Sequence, residues 1–380
     1  MKKFPILLIS IALGPLSTAQ VQFSFSGYAL DLPIYQKASQ SLADTFGIDQ
    51  HQILNISRVR LRPTLTLSPD VQVALEYEVN ASYFSSSLVI PIQPLTRRQL
   101  VDLTWQPVQE SHLSILHYVD RFYYKQLFSA AEVVIGRQRI SWGTGRAWNP
   151  TDLFNPINPA SFAKIEKDGV DAASVKFFLG RFTDLMLVVN PERHSSANIG
   201  GRFRTNIHAL DCSFTGGYFD RRIVIGGDMA GNLFAAGVRA EAILSAHRSD
   251  FHSNFVKYII GIDNQFTPEL YALAEYHYNG EGSTERRAYD LPRLVAGEIL
   301  NVAKNYVILQ GSYLAHPLVT LSLSATSNLN DGSHLVNGMV AYSASADIFL
   351  NAGCQLTIGE DRDEYWYYPS SVYLRGEIYF

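Results

Sequence analysis

Runs of about 9 to 13 residues in which apolar and polar side chains alternate recur along most of this chain, against the ~5–6 residues of an ordinary strand. Period-two alternation places successive side chains on opposite faces of a strand. In Ser57–Leu67, Val59, Leu61, Leu65 and Leu67 share one face, and Arg58, Arg60, Arg62, Thr64 and Thr66 share the other. In the next run Val71, Val73, Leu75, Tyr77 and Val79 oppose Gln72, Glu76, Glu78 and Asn80. Ser68-Pro69-Asp70 between them is a tight turn, so the pair reads as a hairpin. The same pattern sets Val238, Ala240, Ala242 and Leu244 against Arg239 and Glu241, and Ala272, Ala274, Tyr276 and Tyr278 against Glu275 and His277. Val319, Leu321, Leu323 and Ala325 oppose Thr320, Ser322 and Ser324, and Asn330-Asp331-Gly332 supplies the following turn.

Such alternation suits either a sandwich, which buries the apolar face against a second sheet, or a membrane barrel, which turns that face to lipid. Four features favour the barrel. The runs are long enough to cross a bilayer with tilt. Long polar loops alternate with tight turns. Aromatic residues cluster at run ends, as in Phe122-Tyr123-Tyr124 and Tyr365-Trp366-Tyr367-Tyr368. The chain closes on Val372, Leu374, Gly376, Ile378 and Phe380 alternating with Tyr373, Arg375, Glu377 and Tyr379. The expectation is an all-β, transmembrane antiparallel β-barrel of 16–18 strands, a single domain over residues 20–380.

The first nineteen residues read as a secretory signal peptide. Lys2 and Lys3 precede the apolar run Phe4–Leu13, Gly14-Pro15 breaks it, and Ser17-Thr18-Ala19 offers a cleavage site before Gln20. Beyond Ala19 nothing approaches the ~18 consecutive apolar residues of a membrane helix. Removing Lys2 and Lys3 from 31 basic residues leaves 29 against 35 acidic ones, a net charge of −6. That balance offers no electrostatic case for nucleic acid. Cys212 and Cys354 are too few for a disulfide framework and sit in strand-like runs.

One stretch is distinctive. Gly136-Arg137-Gln138-Arg139-Ile140-Ser141-Trp142-Gly143-Thr144-Gly145-Arg146 leads into Trp148-Asn149-Pro150-Thr151-Asp152-Leu153-Phe154-Asn155-Pro156, and Lys167-Asp168-Gly169-Val170-Asp171-Ala172 follows. This resembles the core of a poorly characterised group of bacterial outer-membrane porin-like proteins, similar in style to alginate-export barrels. The tail from Ala274-Glu275-Tyr276-His277-Tyr278-Asn279-Gly280 onward is similar to that group too. The resemblance implies an outer-membrane barrel and a channel; it supplies no substrate, cofactor or catalytic residue.

Charged side chains at mid-bilayer cost about 2–4 kcal/mol when they face lipid. Arg58, Arg60, Arg62, Glu76, Glu78, Arg137, Arg139, Arg239, Glu241 and Glu275 are therefore expected to line the lumen. Val133 and Ile135 would share the Arg137 face, and Lys176 and Asp263 would add to a mixed wall of weak ion selectivity. The three arginines of Ser57–Leu67 read either as a ladder steering anions or as a network neutralised by Glu76 and Glu78. Three Asn-Pro pairs stiffen Asn149–Pro159, which either folds inward as a constriction, with Arg146 and Asp152 at its edge, or packs on the rim. Outward loops are expected at Asp31–His51, Ser85–Arg98, Asn279–Leu294 and Gly359–Pro369. The acidic cluster Glu360, Asp361, Asp363 and Glu364 reads as solvated or as bridging to lipopolysaccharide through divalent ions.

No metal site or cofactor is expected, and no hydrolase motif is present. His112-Leu113-Ser114 and His247-Arg248-Ser249 each place a His two residues before a Ser, with nothing around them to mark an esterase. The expected function is passive diffusion of small hydrophilic solutes. The alternative is a non-conducting barrel that binds or helps export a surface polysaccharide. Expected partners are outer-membrane lipid, lipopolysaccharide and the barrel insertion machinery, which would read the terminal Phe380.

Overall fold

The computed structural model describes residues 21–86, 98–154, 166–192, 197–247, 249–295 and 299–380. The signal segment, much of the second loop and residues 155–159 lie outside them.

The strands follow in chain order: β1 (Gln22–Lys37), β2 (His51–Ser68), β3 (Val71–Phe84), β4 (Thr104–Gln109), β5 (Leu113–Leu127), β6 (Ala131–Gln138) and β7 (Val170–Phe178). Then come β8 (Asp184–Asn190), β9 (Asn198–Ile207), β10 (Leu210–Phe219), β11 (Arg222–Leu233), β12 (Ala236–His247) and β13 (Phe255–Gln265). The last are β14 (Leu270–Asn279), β15 (Asn305–His316), β16 (Val319–Asn328), β17 (His334–Ser343), β18 (Ile348–Ile358) and β19 (Ser370–Tyr379). Each pairs antiparallel with its neighbours, and β1 pairs with both β2 and β19, so the sheet has no free edge. The short β4 lies beside the upper part of β5, while β3 pairs directly with β5; the closed barrel therefore has 18 strands.

The alternation read from the sequence sets the two faces. Ile225, Ile260, Leu323 and Leu374, on four different strands, are 60–61% exposed and point outward. Their neighbours of opposite parity point into the barrel. The two ends of the barrel differ in their connections. At the end that carries Gln22 and Tyr379 the connections are short, and Pro69-Asp70, His208-Ala209 and Phe234-Ala235 are two-residue links. His208, Ala209 and Phe234 take positive φ, as tight hairpin turns require. The opposite, loop end carries the long connections, residues 38–50, 85–112, 139–169, 280–304 and 359–369. The first loop is shorter than expected, because β1 runs on to Lys37; it holds α1 (Gln40–Phe46), capped by Ser39 and ended by Gly47 in the left-handed region.

β6 stops early, at Gln138, and the chain leaves the wall there. Residues 98–109 fill the space. Asp171 N donates to Arg98 O at 3.1 Å on the β7 side, Val119 N donates to Leu103 O at 3.0 Å on the β5 side, and β4 continues the β5 ladder. Cys212 and Cys354 are free, on β10 and β18.

Candidate functional site

The segment 139–154 enters the lumen. Ile140, Trp142 and Phe154 are buried against the inward side chains Val188, Phe219, Val224 and Ile243 of β8 and β10–β12. Trp148 packs with Ile259, Tyr306 and Ile308 of β13 and β15, and with Tyr289 and Val302 of the 280–304 loop. The segment thus lies along one side of the barrel, held by aromatic anchors.

Two wall carboxylates bind its backbone. Glu241 on β12 accepts from Thr144 N, from Gly145 N at 2.5 Å, and from Thr151 N and Oγ1 at 3.2 and 2.9 Å. Glu275 on β14 accepts from Arg146 N, Ala147 N and Trp148 N at 2.9, 3.2 and 2.9 Å. Glycine is required at 143: its φ is +89°, and a Cβ there would stand 2.7 Å from Glu241 Oε1. Converging backbone N–H groups form an anion-binding concavity, here filled by the protein's own carboxylate.

Nearly opposite, four guanidiniums of β2 and β5 meet four carboxylates, three on β3 and β5 and Glu166 from the 139–169 connection. Arg60 donates to Glu76 at 2.9 Å, to Glu78 at 2.8 Å and to Asp120. Arg58 lies 3.1 Å from Glu78, Arg121 donates to Glu76 at 2.9 Å, and Arg62 and Arg121 both reach Glu166. Tyr118 OH donates to Glu78 at 2.6 Å. The network reading of the three arginines therefore describes the geometry: the Arg60 side chain is 3% exposed and Arg62 28%. Asp120 and Arg121 escape the sequence pattern, because strict alternation would send one of them outward. A bulge between Glu76 and Tyr77 leaves Asp120 as the extra residue, so both turn inward. Two adjacent charges between Val119 and Phe122 are the available signal.

Several expected pore residues are elsewhere. Arg137 does not open onto the lumen. It shares the face of Ile135, which is exposed on the outside, and is buried in the wall seam, donating to Asp171 at 2.7 Å, to Val119 O at 2.8 Å and to Val101 O. A charge on that face is sustained because residues 98–103 cover it and supply acceptors. Arg139 lies beyond the end of β6 and is exposed. Glu241 and Glu275 point inward but are covered by the segment they hold. Asp152 is buried in an ion pair with Lys167. Arg239 pairs with Asp263. Arg146 is exposed, with no ion pair to a described residue.

On β15–β17 the inward side chains left with access are uncharged: Gln310 and Ser312 on β15, Ser322 and Ser324 on β16, Asn337 on β17; elsewhere on the inward face Lys125, Lys176 and Arg204 also keep access, each beside a wall carboxylate. The alternation of the β15–β17 residues with Leu309, Leu321 and Leu323 is plain in the sequence, but a search for charges passes them by.

At the loop end, Glu364 accepts from Tyr306 OH at 2.6 Å and Asn328 Nδ2 at 2.9 Å, and Asp331 accepts from Glu364 N at 2.9 Å. Burial pushes Glu364 up to about 7. Asp363 is buried too, beside Arg286 at 2.9 Å, so half of the acidic cluster is packed rather than solvated. Trp366 Nε1 donates to Ser41 Oγ at 3.1 Å, joining this loop to the first. His112 Nδ1 meets Phe84 O at 2.8 Å, not Ser114; His247 Nδ1 lies 3.2 Å from Ser249 Oγ in an exposed loop.

No family model and no curated protein matches the chain. Solved structures do. Pseudomonas aeruginosa OccK7 (OpdD) is 9% identical, with a TM-score of 0.56 over 94% of this chain and 98% of that one. Acinetobacter baumannii OccAB4 is 8% identical, with a TM-score of 0.56 over 97% and 99%. Pseudomonas aeruginosa OccD3 (OpdP) is 8% identical, with a TM-score of 0.55 over 96% and 92%. The chain has a porin-type fold. At these identities the likeness is one of fold, and within that porin-type barrel the clamped segment and the uncharged β15–β17 wall are read from this chain's own residues.

Proposed function

We propose that the protein is an outer-membrane channel for passive diffusion of small hydrophilic solutes. The carrying observation is the segment 139–154 bound along β8–β15, which narrows the lumen without taking up the inward polar face of β15–β17. Hydroxyls and amides there would replace part of a solute's hydration, and the exposed Arg146 would bias passage at the constriction. The outward apolar face would hold the barrel in lipid, and Phe380, 53% exposed on that face and stacked 6.0 Å from Phe25, would be presented to insertion machinery. Lipopolysaccharide would contact the loop end.

Refolded protein in a planar bilayer tests this. Stepwise ohmic openings are expected, and a silent barrel would refute the reading. The polysaccharide-binding alternative draws on the aromatic rim, but Tyr365 and Trp366 are buried in the loop-end packing and are not offered to a ligand.

A further inference from the structure

Polar atoms without partners gather under the inserted segment. Ile140, Trp142 and Phe154 press on Val188, Phe219, Val224 and Ile243, an apolar layer on the β8–β12 wall. On the turn-end side of that layer the inward wall becomes polar. Arg202 on β9 stands beside Thr215 on β10, and at the next inward level Asp184, Arg204, Ser213 and Asp228 follow one another across β8–β11. Arg202 makes no ion pair with a described residue, and its buried Nε has no hydrogen-bond partner. Asp228 is 8% exposed; Ser213 Oγ donates to one of its oxygens at 3.0 Å, and the other has no donor. Asp184, 4% exposed, accepts from Arg204 Nε at 2.9 Å with one oxygen and leaves the other bare. Thr215 Oγ1 and Trp142 Nε1 are buried and unpaired as well. Buried polar groups are ordinarily paired, so this concentration marks the place of a polar occupant.

The charges of the layer select the occupant. Arg202 and Arg204 stand on β9, with Asp184 and Asp228 on β8 and β11 to either side, so the layer carries no net charge. A lone anion would face Asp184 and Asp228, and a lone cation would face Arg202. A molecule carrying both charges satisfies both sides. Its acidic oxygens would take hydrogen bonds from Arg202 and Thr215, and its ammonium would donate to the bare Asp228 oxygen. β9 and β11 are two strand spacings apart, about 10 Å, and the Arg202 and Asp228 side chains narrow that gap to the span of a compact zwitterion.

We infer that this layer is a regulatory site for a small zwitterion with a primary ammonium, entered from the turn end, and that its occupancy holds the segment 139–154 docked from beneath. The Arg204 side chain, 50% exposed, marks the open side. The link to the segment is short: Trp142 belongs to the layer above, and Asp152, paired with Lys167, lies within electrostatic range of Arg202. The regulatory role rests on the segment being the constriction of a channel. The constriction then becomes steadier as the solute accumulates on the turn-end side.

Glycine is the probe, with acetate and methylammonium as its separated halves. Calorimetric titration of the detergent-solubilised full chain needs no conduction, so a silent barrel that binds glycine would refute the channel reading and leave the site standing. Glycine should bind, and each half should bind about tenfold or more weakly, the factor for one charge-assisted contact. Arg202→Gln and Asp228→Asn should each weaken glycine by about the same factor. Thr215→Val, which removes one hydroxyl, gives a smaller loss and serves where heat-modifiable migration shows that a charge variant has not folded. In the double variant Glu241→Gln, Glu275→Gln, glycine at about ten times its dissociation constant should raise the ratio of docked to undocked dwell times about tenfold. No binding of glycine, or undiminished binding in the folded variants, would overturn the site. Either half binding as tightly as glycine would overturn the zwitterion. Binding that leaves the dwell-time ratio unchanged would overturn the regulatory role.

Discussion

Replacing Glu241 and Glu275 by Gln should turn a steady constriction into a fluctuating one. Glutamine keeps one acceptor oxygen. At Glu241 the change removes at least two hydrogen bonds, since each oxygen takes two of the donors, Thr144 N and Gly145 N on one and the Thr151 pair on the other. At Glu275 it removes at least one. At about 1.5–3 kcal/mol for each bond to a charged acceptor, the loss is about 5–9 kcal/mol. The remaining anchors, Trp142, Trp148 and Phe154, contribute about 1.5–3 kcal/mol each, or about 5–9 kcal/mol together. The two sums are comparable, so the segment should exchange between docked and undocked states. Single-channel recording should show flicker and a new upper level roughly twofold above the wild-type one. Heat-modifiable migration on gels should report an intact barrel, because the ladder closes without the segment's backbone. A single steady level at the wild-type conductance, in a folded double variant, would refute the assignment of the segment as the constriction or of the carboxylates as its holders.

Arg60→Met should destabilise the barrel by about 3–5 kcal/mol, because Glu76, Glu78 and Asp120 lose their shared partner; denaturant unfolding in detergent reads it. Arg62→Gln, at the more exposed end of the network, should shift the reversal potential in a salt gradient more than Arg58→Gln does, and equal shifts would count against the network geometry. Gly143→Ala should mimic the loss of Glu241, giving noisier openings, because the added Cβ meets that carboxylate. Glu364 has a folded value near 7, above its ordinary 4.5, so the protonated form favours the packed loop end. That stabilisation is present below about pH 4.5 and is lost as pH rises through about 7. Amide protection factors of residues 359–369, corrected for the intrinsic rise of exchange with pH, should therefore be higher at pH 5 than at pH 8, and Glu364→Gln should flatten the difference.

The barrel is legible in the sequence because its walls obey a two-residue period over lengths that only a bilayer crossing needs. Hairpins such as residues 57–80 and the closing strand to Phe380 can be placed with their faces assigned. The lumen is less legible, for two physical reasons. Alternation fails at a bulge, which hides Asp120 and Arg121, and it misassigns a face where another segment covers it, as at Val133, Ile135 and Arg137. Periodicity also says which way a side chain points but not what comes to lie on it. Glu241 and Glu275 do point inward, yet their donors come from a segment about a hundred residues earlier, a distance of pairing that no local pattern records. Of the segment that could either constrict the lumen or pack on the rim, the described residues up to Phe154 lie inside the barrel.

The early end of β6 has a consequence for how such a channel can be altered. The gap it leaves is patched by residues 98–109 from another hairpin, so the insert and the patch are interdependent parts of one closure. Excising the insert would not yield a cleanly widened tube; the shortened connection would compete with the patch for the same edges of β5 and β7.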